Sequence, residues 1–129
     1  MPNVEPSIAG LRCLVLDDEF LIALDIQQIL EAAGAASVIC VGNCDDALAR
    51  LRSGAKIDFA VLDIKLSGPT HDSVTVAAEL ARQNTPFIFL TGMRRKDERM
   101  KEFARAPVVE KPYEAALLLD AVLRALGRR

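Results

Sequence analysis

The sequence predicts an α/β fold in which helices cover both faces of a five-stranded parallel sheet. Short apolar runs of strand length alternate with longer segments of helical periodicity along the chain. The short runs are apolar almost throughout, which is typical of strands that are buried on both faces. No run approaches the roughly 20 apolar residues that are needed to span a bilayer, so we expect no membrane segment.

Each predicted strand is a short apolar run that ends at a polar residue or a glycine. The five runs are Leu11–Leu16, Ser37–Val41, Phe59–Leu62, Phe87–Leu90 and Pro107–Val109. Helical periodicity covers the segments between and after them, which are Phe20–Ala33, Cys44–Arg52, Ser73–Gln83, Arg94–Arg105 and Glu114–Leu126. Because crossovers between parallel strands are right-handed, five such units predict a flavodoxin-like (βα)5 doubly wound sandwich.

Length and composition set the domain organisation and exclude some classes of function. The chain of 129 residues has the size of one domain, and its formal net charge of −2 argues against direct nucleic-acid binding. We expect a flexible arm at residues 1–10, one domain at 11–126 and a tail at 127–129. With only three residues after the last helix, we expect a single-domain protein without a covalent output domain.

The three cysteines indicate a reducing compartment. Cys13 and Cys40 lie within apolar runs and are predicted to pack in the core, and the spacing of Cys40 and Cys44 is not a familiar metal-binding spacing. Three cysteines cannot all pair within one chain. Together with the absence of a secretory signal at the N-terminus, this predicts a cytoplasmic protein.

Chemically active side chains follow four of the five predicted strands. Asp17 and Asp18 follow the first strand, Asp63 the third, Thr91 the fourth and Lys111 the fifth. In open parallel sheets, ligands bind beyond the carboxyl ends of the strands. We therefore expect three carboxylates, one hydroxyl and one ammonium group to meet at one edge of the sheet.

The chemistry of this set favours phosphoryl transfer beside a divalent cation. Crowded carboxylates repel one another unless a cation joins them, and Mg²⁺ suits oxygen ligands at a phosphate site. With the cation bound, Asp63 can act as a nucleophile and form an acyl phosphate. Mg²⁺, the Lys111 ammonium and the Thr91 hydroxyl would each neutralise or hydrogen-bond one phosphoryl oxygen.

These motifs resemble the receiver domain of bacterial two-component response regulators, over roughly residues 11–126. The resemblance implies that Asp63 is the phosphoryl acceptor, that Asp18 binds Mg²⁺ directly and Asp17 through water, and that the Lys65 carbonyl is a further ligand. Lys111 would pair with the phosphoryl group, Thr91 would be the switch hydroxyl, and the Lys111–Pro112 bond would be cis. Such a protein catalyses only its own phosphorylation and dephosphorylation, so we do not expect an enzyme in the usual sense.

Two positions depart from the pattern of the family. Val108 occupies the place of the usual switch aromatic, and Leu66–Thr70 replaces the common Pro-Gly turn after the acceptor. The segment Pro86–Gly92 is instead similar to the Phe-Ala-Thr-Gly subgroup of stand-alone receivers, with Leu90 in place of the alanine. The only histidine, His71, is expected to face solvent.

The resemblance also implies the partners. We expect a sensor histidine kinase or a histidine phosphotransfer protein as the donor, a downstream protein as the recipient, and a monomer or a phosphorylation-dependent dimer. Alternatives are a degenerate receiver that binds without phosphorylation, and a phosphate sink. A haloacid dehalogenase-type hydrolase would need an acid at the position of Lys65, and a nucleotide-binding sandwich would need a Gly-rich loop after the first strand.

Overall fold

The computed structural model contains one five-stranded parallel sheet with helices packed on both of its faces. It describes residues 8–64, 72–92, 102–103 and 105–128. The strands are β1 (Arg12–Leu16), β2 (Ser37–Val41), β3 (Phe59–Asp63), β4 (Phe87–Thr91) and β5 (Val108–Glu110). The helices in the described part are α1 (Phe20–Ala32), α2 (Cys44–Arg52), α3 (Ser73–Arg82) and α4 (Ala115–Leu126).

The strand order is β2-β1-β3-β4-β5, and every neighbouring pair is parallel. This confirms the predicted doubly wound α/β fold. The predicted helix at Arg94–Arg105 lies mostly outside the described residues, as do Lys65, His71 and the Leu66–Thr70 departure. Among the described residues, no helix combines the length and the apolar character that crossing a bilayer requires.

Alternating side chains along the strands divide the core into two halves. Leu14, Leu62 and Phe89 point to the face that α2 and α3 cover. Val15, Val61 and Ile88 point to the opposite face, which α1 and α4 cover. Successive strand residues point to opposite sides, so strands that are apolar throughout bury both faces.

Side-chain hydrogen bonds cap the N-terminal ends of α2 and α3. The Asn43 side chain caps α2 by accepting a hydrogen bond from the Asp46 N–H at 2.8 Å. Asp72 caps α3 by accepting hydrogen bonds from the N–H groups of Val74 and Thr75. These bonds satisfy backbone donors that have no partner within the helix.

Residues 8–10, the end of the segment expected to form a flexible arm, pack against the domain. Ile8 is only 1% exposed and belongs to the core half beneath α1 and α4. The Gly10 N–H donates a hydrogen bond to the Gly34 carbonyl. A Cβ at Gly34 would lie 3.1 Å from the Ala9 Cα, so the absent side chain there permits the close approach.

The structure agrees with the predicted burial of only one of the two cysteines that were expected in the core. Cys13 is buried as predicted, but Cys40 is exposed, and Cys44 is buried instead. Cys40 lies on β2, which is an edge strand and is less covered than the central strands. All three thiols are free.

Candidate functional site

The register of the sheet brings the acids after β1 and β3 together. Leu16 pairs with Leu62 across these adjacent strands, so Asp17 and Asp63 emerge side by side. One carboxylate oxygen from each of Asp17, Asp18 and Asp63 lies within 4.8 Å of the others. Asp17 and Asp63 are buried, whereas Asp18 is exposed. The three predicted acids therefore form one cluster that opens toward solvent on the side of Asp18.

Lys111 provides a cation within this cluster. Its Nζ lies 3.0 Å from an oxygen of Asp17, 3.4 Å from an oxygen of Asp63 and 3.4 Å from an oxygen of Glu19. Burial alone lowers the pKa of the ammonium, but the Asp17 and Asp63 carboxylates outweigh this effect, so its pKa lies above the ordinary value. Lys111 therefore carries its full positive charge at neutral pH.

Backbone hydrogen bonds hold the strand ends in place. The Asp17 N–H donates to the Val41 carbonyl, and the Lys111 N–H donates to the Thr91 carbonyl at 2.7 Å. Thr91 is the last residue of β4, pairs with Glu110 of β5 and is 3% exposed. The bond between Lys111 and Pro112 is cis, as the resemblance implies. Thr91 and Lys111 thus lie at the carboxyl ends of neighbouring strands, at the edge of the sheet that carries the acids.

The two oxygens of Asp17 already have protein partners. Its Oδ1 accepts a hydrogen bond from the Glu19 N–H at 2.9 Å, and its Oδ2 accepts one from the Lys111 ammonium. The first of these bonds forms a tight Asx-type turn that leads from β1 into α1. Asp17 is consequently fixed in orientation, while the exposed carboxylate of Asp18 faces the opening.

The donor set fits a hard divalent cation. The cluster holds three carboxylates, and the Lys111 ammonium contacts two of them, which leaves an excess of negative charge. Carboxylate oxygens are the ligands that Mg²⁺ takes in proteins, commonly together with water and phosphate oxygens. The Lys65 carbonyl, which the resemblance implies as a further ligand, lies outside the described residues.

Two contacts near the site involve residues to which the sequence assigned no role. Glu19 reaches Lys111, and the Tyr113 hydroxyl donates a hydrogen bond to the Asp25 carboxylate on α1 at 2.9 Å. Glu19 adjoins the two acids in the sequence, so its position already suggested proximity. Asp25 and Tyr113 are 88 residues apart, and no local pattern links them.

Comparisons with known proteins agree with this geometry. The family model of the response regulator receiver domain matches residues 13–123. The structure is similar to a response regulator receiver protein from Sinorhizobium medicae WSM419, with 30% identity and a TM-score of 0.80 over 95% of this chain and 100% of that chain. It is also similar to SdrG from Sphingomonas melonis Fr1, with 31% identity and a TM-score of 0.71 over 94% and 99% of the two chains.

A third similar structure has a lower sequence identity. A CheY-like receiver domain protein from Methanospirillum hungatei JF-1 shares 26% identity, with a TM-score of 0.76 over 92% of this chain and 95% of that chain. A comparison with curated protein sequences gives no match. The family model covers most of the chain and the acid cluster lies where the fold requires it. The chain therefore belongs to the response regulator receiver domain family.

Proposed function

We propose that this protein is a response regulator in which Asp63 accepts a phosphoryl group from a phosphohistidine donor in a Mg²⁺-dependent reaction. The observation that carries the proposal is the meeting of Asp17, Asp18, Asp63 and Lys111 at one edge of the sheet. Membership of the receiver family supports the same assignment. The donor would be a sensor histidine kinase or a histidine phosphotransfer protein.

In the proposed reaction, a carboxylate oxygen of Asp63 attacks the phosphorus atom. The bond between phosphorus and the donor imidazole nitrogen breaks, and the nitrogen retains the electron pair. The product is an acyl phosphate on Asp63 and a free donor histidine. Because this transfer depends mainly on positioning and charge neutralisation, a buried acid beside fixed cationic groups is well suited to it.

The residues around Asp63 divide the remaining tasks. Bound Mg²⁺ supplies positive charge beside the acceptor and the incoming phosphoryl oxygens. We assign Asp18 as a direct ligand because its carboxylate is exposed at the opening, and Asp17 as a ligand through water because both its oxygens are engaged. The Lys65 carbonyl remains a proposed ligand. Lys111 would pair with one phosphoryl oxygen.

The proposed output is a conformational switch. The acyl phosphate adds negative charge beside Thr91, whose hydroxyl would move toward it and shift the packing of the segment that follows. Val108 is 38% exposed on β5 and is in register with Phe89 of β4, so an aliphatic side chain stands where an aromatic is usual. The signal would then pass to a downstream protein through noncovalent contacts.

We further propose that the protein acts as a single-domain regulator in the cytoplasm. Similarity over 100% of the Sinorhizobium chain and 99% of SdrG supports the first part, and three free cysteines are consistent with the second. A pull-down with Mg²⁺ alone and with Mg²⁺ plus beryllofluoride, a mimic of the phosphoryl group, tests the output. A partner retained equally in both conditions would indicate binding that is independent of phosphorylation.

Labelling with a small phosphodonor tests the central claim. With Mg²⁺, the wild-type protein should gain one phosphoryl group by intact mass, and Asp63→Asn should gain none. Asp120→Asn, which makes the same change at a half-buried acid on α4 that pairs with Arg124, serves as the control and should be labelled like the wild type. Labelling of Asp63→Asn at the wild-type level would overturn the assignment.

A further inference from the structure

Lys111 lies in the turn that follows β5, the shortest strand of the sheet. β5 has three residues and pairs only with β4 at the edge of the sheet. The Lys111 N–H continues this pairing by donating to the Thr91 carbonyl. Proline has no N–H group, so Pro112 cannot extend the ladder further. A second attachment is therefore needed after Pro112 if the Lys111 side chain is to stay directed at the acids.

Tyr113 makes that second attachment. Its hydroxyl donates a hydrogen bond to the Asp25 carboxylate at 2.9 Å, and its ring packs in part against the core half beneath α1 and α4. The next residue, Glu114, is the N-cap of α4 and makes no side-chain capping hydrogen bond. The side-chain hydrogen bond of Tyr113 thus holds the backbone just before α4, where the helix end has no side-chain cap.

Asp25 belongs to the element that also fixes the acids. It lies on α1, which starts directly after Asp17, Asp18 and Glu19. The hydrogen bond between Tyr113 and Asp25 therefore joins the turn bearing Lys111 to the helix that follows the acid cluster. The partial burial of the phenol, followed by its hydrogen bond to Asp25 and the charge of that carboxylate, raises the Tyr113 pKa and keeps the hydroxyl a donor at neutral pH.

We propose that Tyr113 and Asp25 are a positioning pair that fixes the Lys111 ammonium relative to Asp63 by tying the Lys111–Pro112 turn to α1. Neither residue touches the reacting atoms. The inference rests on the proposed phosphorylation of Asp63 and adds to it two residues that act only through Lys111. Loss of the pair would leave the ammonium attached to its strand but less well directed at the phosphoryl group.

Tyr113→Phe is the decisive variant because it removes the hydroxyl and keeps the ring. With a small phosphodonor and saturating Mg²⁺, we expect the rate of Asp63 phosphorylation to fall roughly three- to tenfold, the range that one lost hydrogen bond supports. Asp25→Ala should give a similar loss, and Asp25→Asn, whose amide oxygen can still accept the bond, should recover most of it. Asp120→Asn on α4 is the matched control and should leave the rate unchanged.

A test of epistasis separates positioning from a general effect on structure. Adding Tyr113→Phe to Lys111→Gln should change the phosphorylation rate by less than about twofold, since the pair acts only through the lysine. An equal fractional loss in the wild-type and Lys111→Gln backgrounds would overturn the proposal. If Tyr113→Phe fails to fold, Asp25→Ala in the same two backgrounds gives the answer.

The outcomes distinguish this inference from the proposed function. A wild-type protein that is not phosphorylated on Asp63 would overturn both. A wild-type protein that is phosphorylated normally, with Tyr113→Phe and Asp25→Ala at wild-type rates, would overturn only the positioning role. Three results together would establish the positioning role. The phosphorylation rate should fall in Tyr113→Phe and Asp25→Ala, it should recover in Asp25→Asn, and it should fall no further when Tyr113→Phe is added to Lys111→Gln.

Discussion

The Lys111 ammonium lies 3.0 Å from a carboxylate oxygen of Asp17, although 94 residues separate them in the sequence. The exposed fractions of the two side chains are 9% and 0%. The same ammonium lies 3.4 Å from Asp63. Lys111 is thus the protein's own counter-ion for two buried acids, and its effect on stability can be separated from its proposed role in phosphorylation.

Lys111→Met should destabilise the metal-free protein. Breaking a buried ion pair leaves an uncompensated charge, so we expect the free energy of unfolding in EDTA to fall by roughly 3 kcal/mol. Added Mg²⁺ should restore part of the loss because it replaces the missing positive charge. Urea titration measures both effects, with the exposed Lys56→Met as a control that should change little. Full stability of Lys111→Met in EDTA would contradict this view of the ion pair.

Asp18→Asn should weaken Mg²⁺ binding without harming the fold. The exposed carboxylate contributes little to packing, but as a charged ligand its loss should lower the affinity roughly tenfold. The rise of Tm with Mg²⁺ concentration reports the affinity, because a ligand stabilises only the state that binds it. Asp120→Asn should follow the wild-type curve. If Tm rose equally with Mg²⁺ concentration in the wild type, Asp18→Asn and Asp120→Asn, Asp18 would not be a ligand.

Leu21→Glu should impair transfer from a donor protein and spare transfer from a small phosphodonor. Phe20 and Leu21 are each 75% exposed at the start of α1, directly beside the acid cluster. A protein that brings its histidine to Asp63 must cover this apolar pair. We expect at least about a tenfold loss with a protein donor, in the range of central interface residues.

The control for Leu21→Glu lies at the opposite edge of the sheet. Ala36 is exposed just before β2, so Ala36→Glu introduces the same charge far from the site. It should leave transfer from both donors unchanged. Equal losses of Leu21→Glu with protein and small-molecule donors would show that the substitution damages the site itself.

One of the three cysteines should react quickly with a thiol reagent at pH 8. Burial raises the pKa of the Cys13 thiol to about 11, and burial raises the pKa of the Cys44 thiol as well. Cys40 is exposed and should account for the fast reaction. Partial burial and Glu31 raise the pKa of its thiol too, so it should still react more slowly than a cysteine in a short unstructured peptide. Cys40→Ser should abolish the fast phase, whereas a remaining fast phase would place Cys13 or Cys44 at the surface.

The stability of the protein should fall with rising pH above about 10 in a manner that depends on Tyr113. Burial and the bond to Asp25 raise the phenol pKa in the folded state. This contribution is fully present below the pKa of the unfolded chain and is lost as pH rises toward the folded-state value. Tyr113→Phe should therefore show a shallower decline of Tm as the pH rises above about 10, the ordinary pKa of a tyrosine. An unchanged slope would contradict the raised pKa.

The fold could be predicted from the sequence because the central strands β3 and β4 are apolar at every position except the last. Phe59–Leu62 and Phe87–Leu90 are fully covered, and such runs allow little besides a parallel sheet between helices. The acids and Lys111 could be placed together because parallel strands present their carboxyl ends at one edge. The roles assigned to them remain predictions.

Other features depend on contacts that no local pattern encodes. Cys40 was misassigned because its run is as apolar as the others, and only the strand order shows that β2 is an edge. Ile8 was missed because it packs on the core from outside any regular element. The bond from Tyr113 to Asp25 joins two segments whose proximity follows from the complete tertiary structure.

The strand order gives the site two halves of unequal stiffness. Asp17 and Asp63 leave β1 and β3, which have neighbours on both sides, whereas Lys111 leaves the short outer strand β5. Amide hydrogens around the lysine should therefore exchange with solvent sooner than those around the acids. Local opening would withdraw the ammonium while the carboxylates keep their geometry, so substitutions in β5 should change the lifetime of the proposed acyl phosphate without altering Asp63.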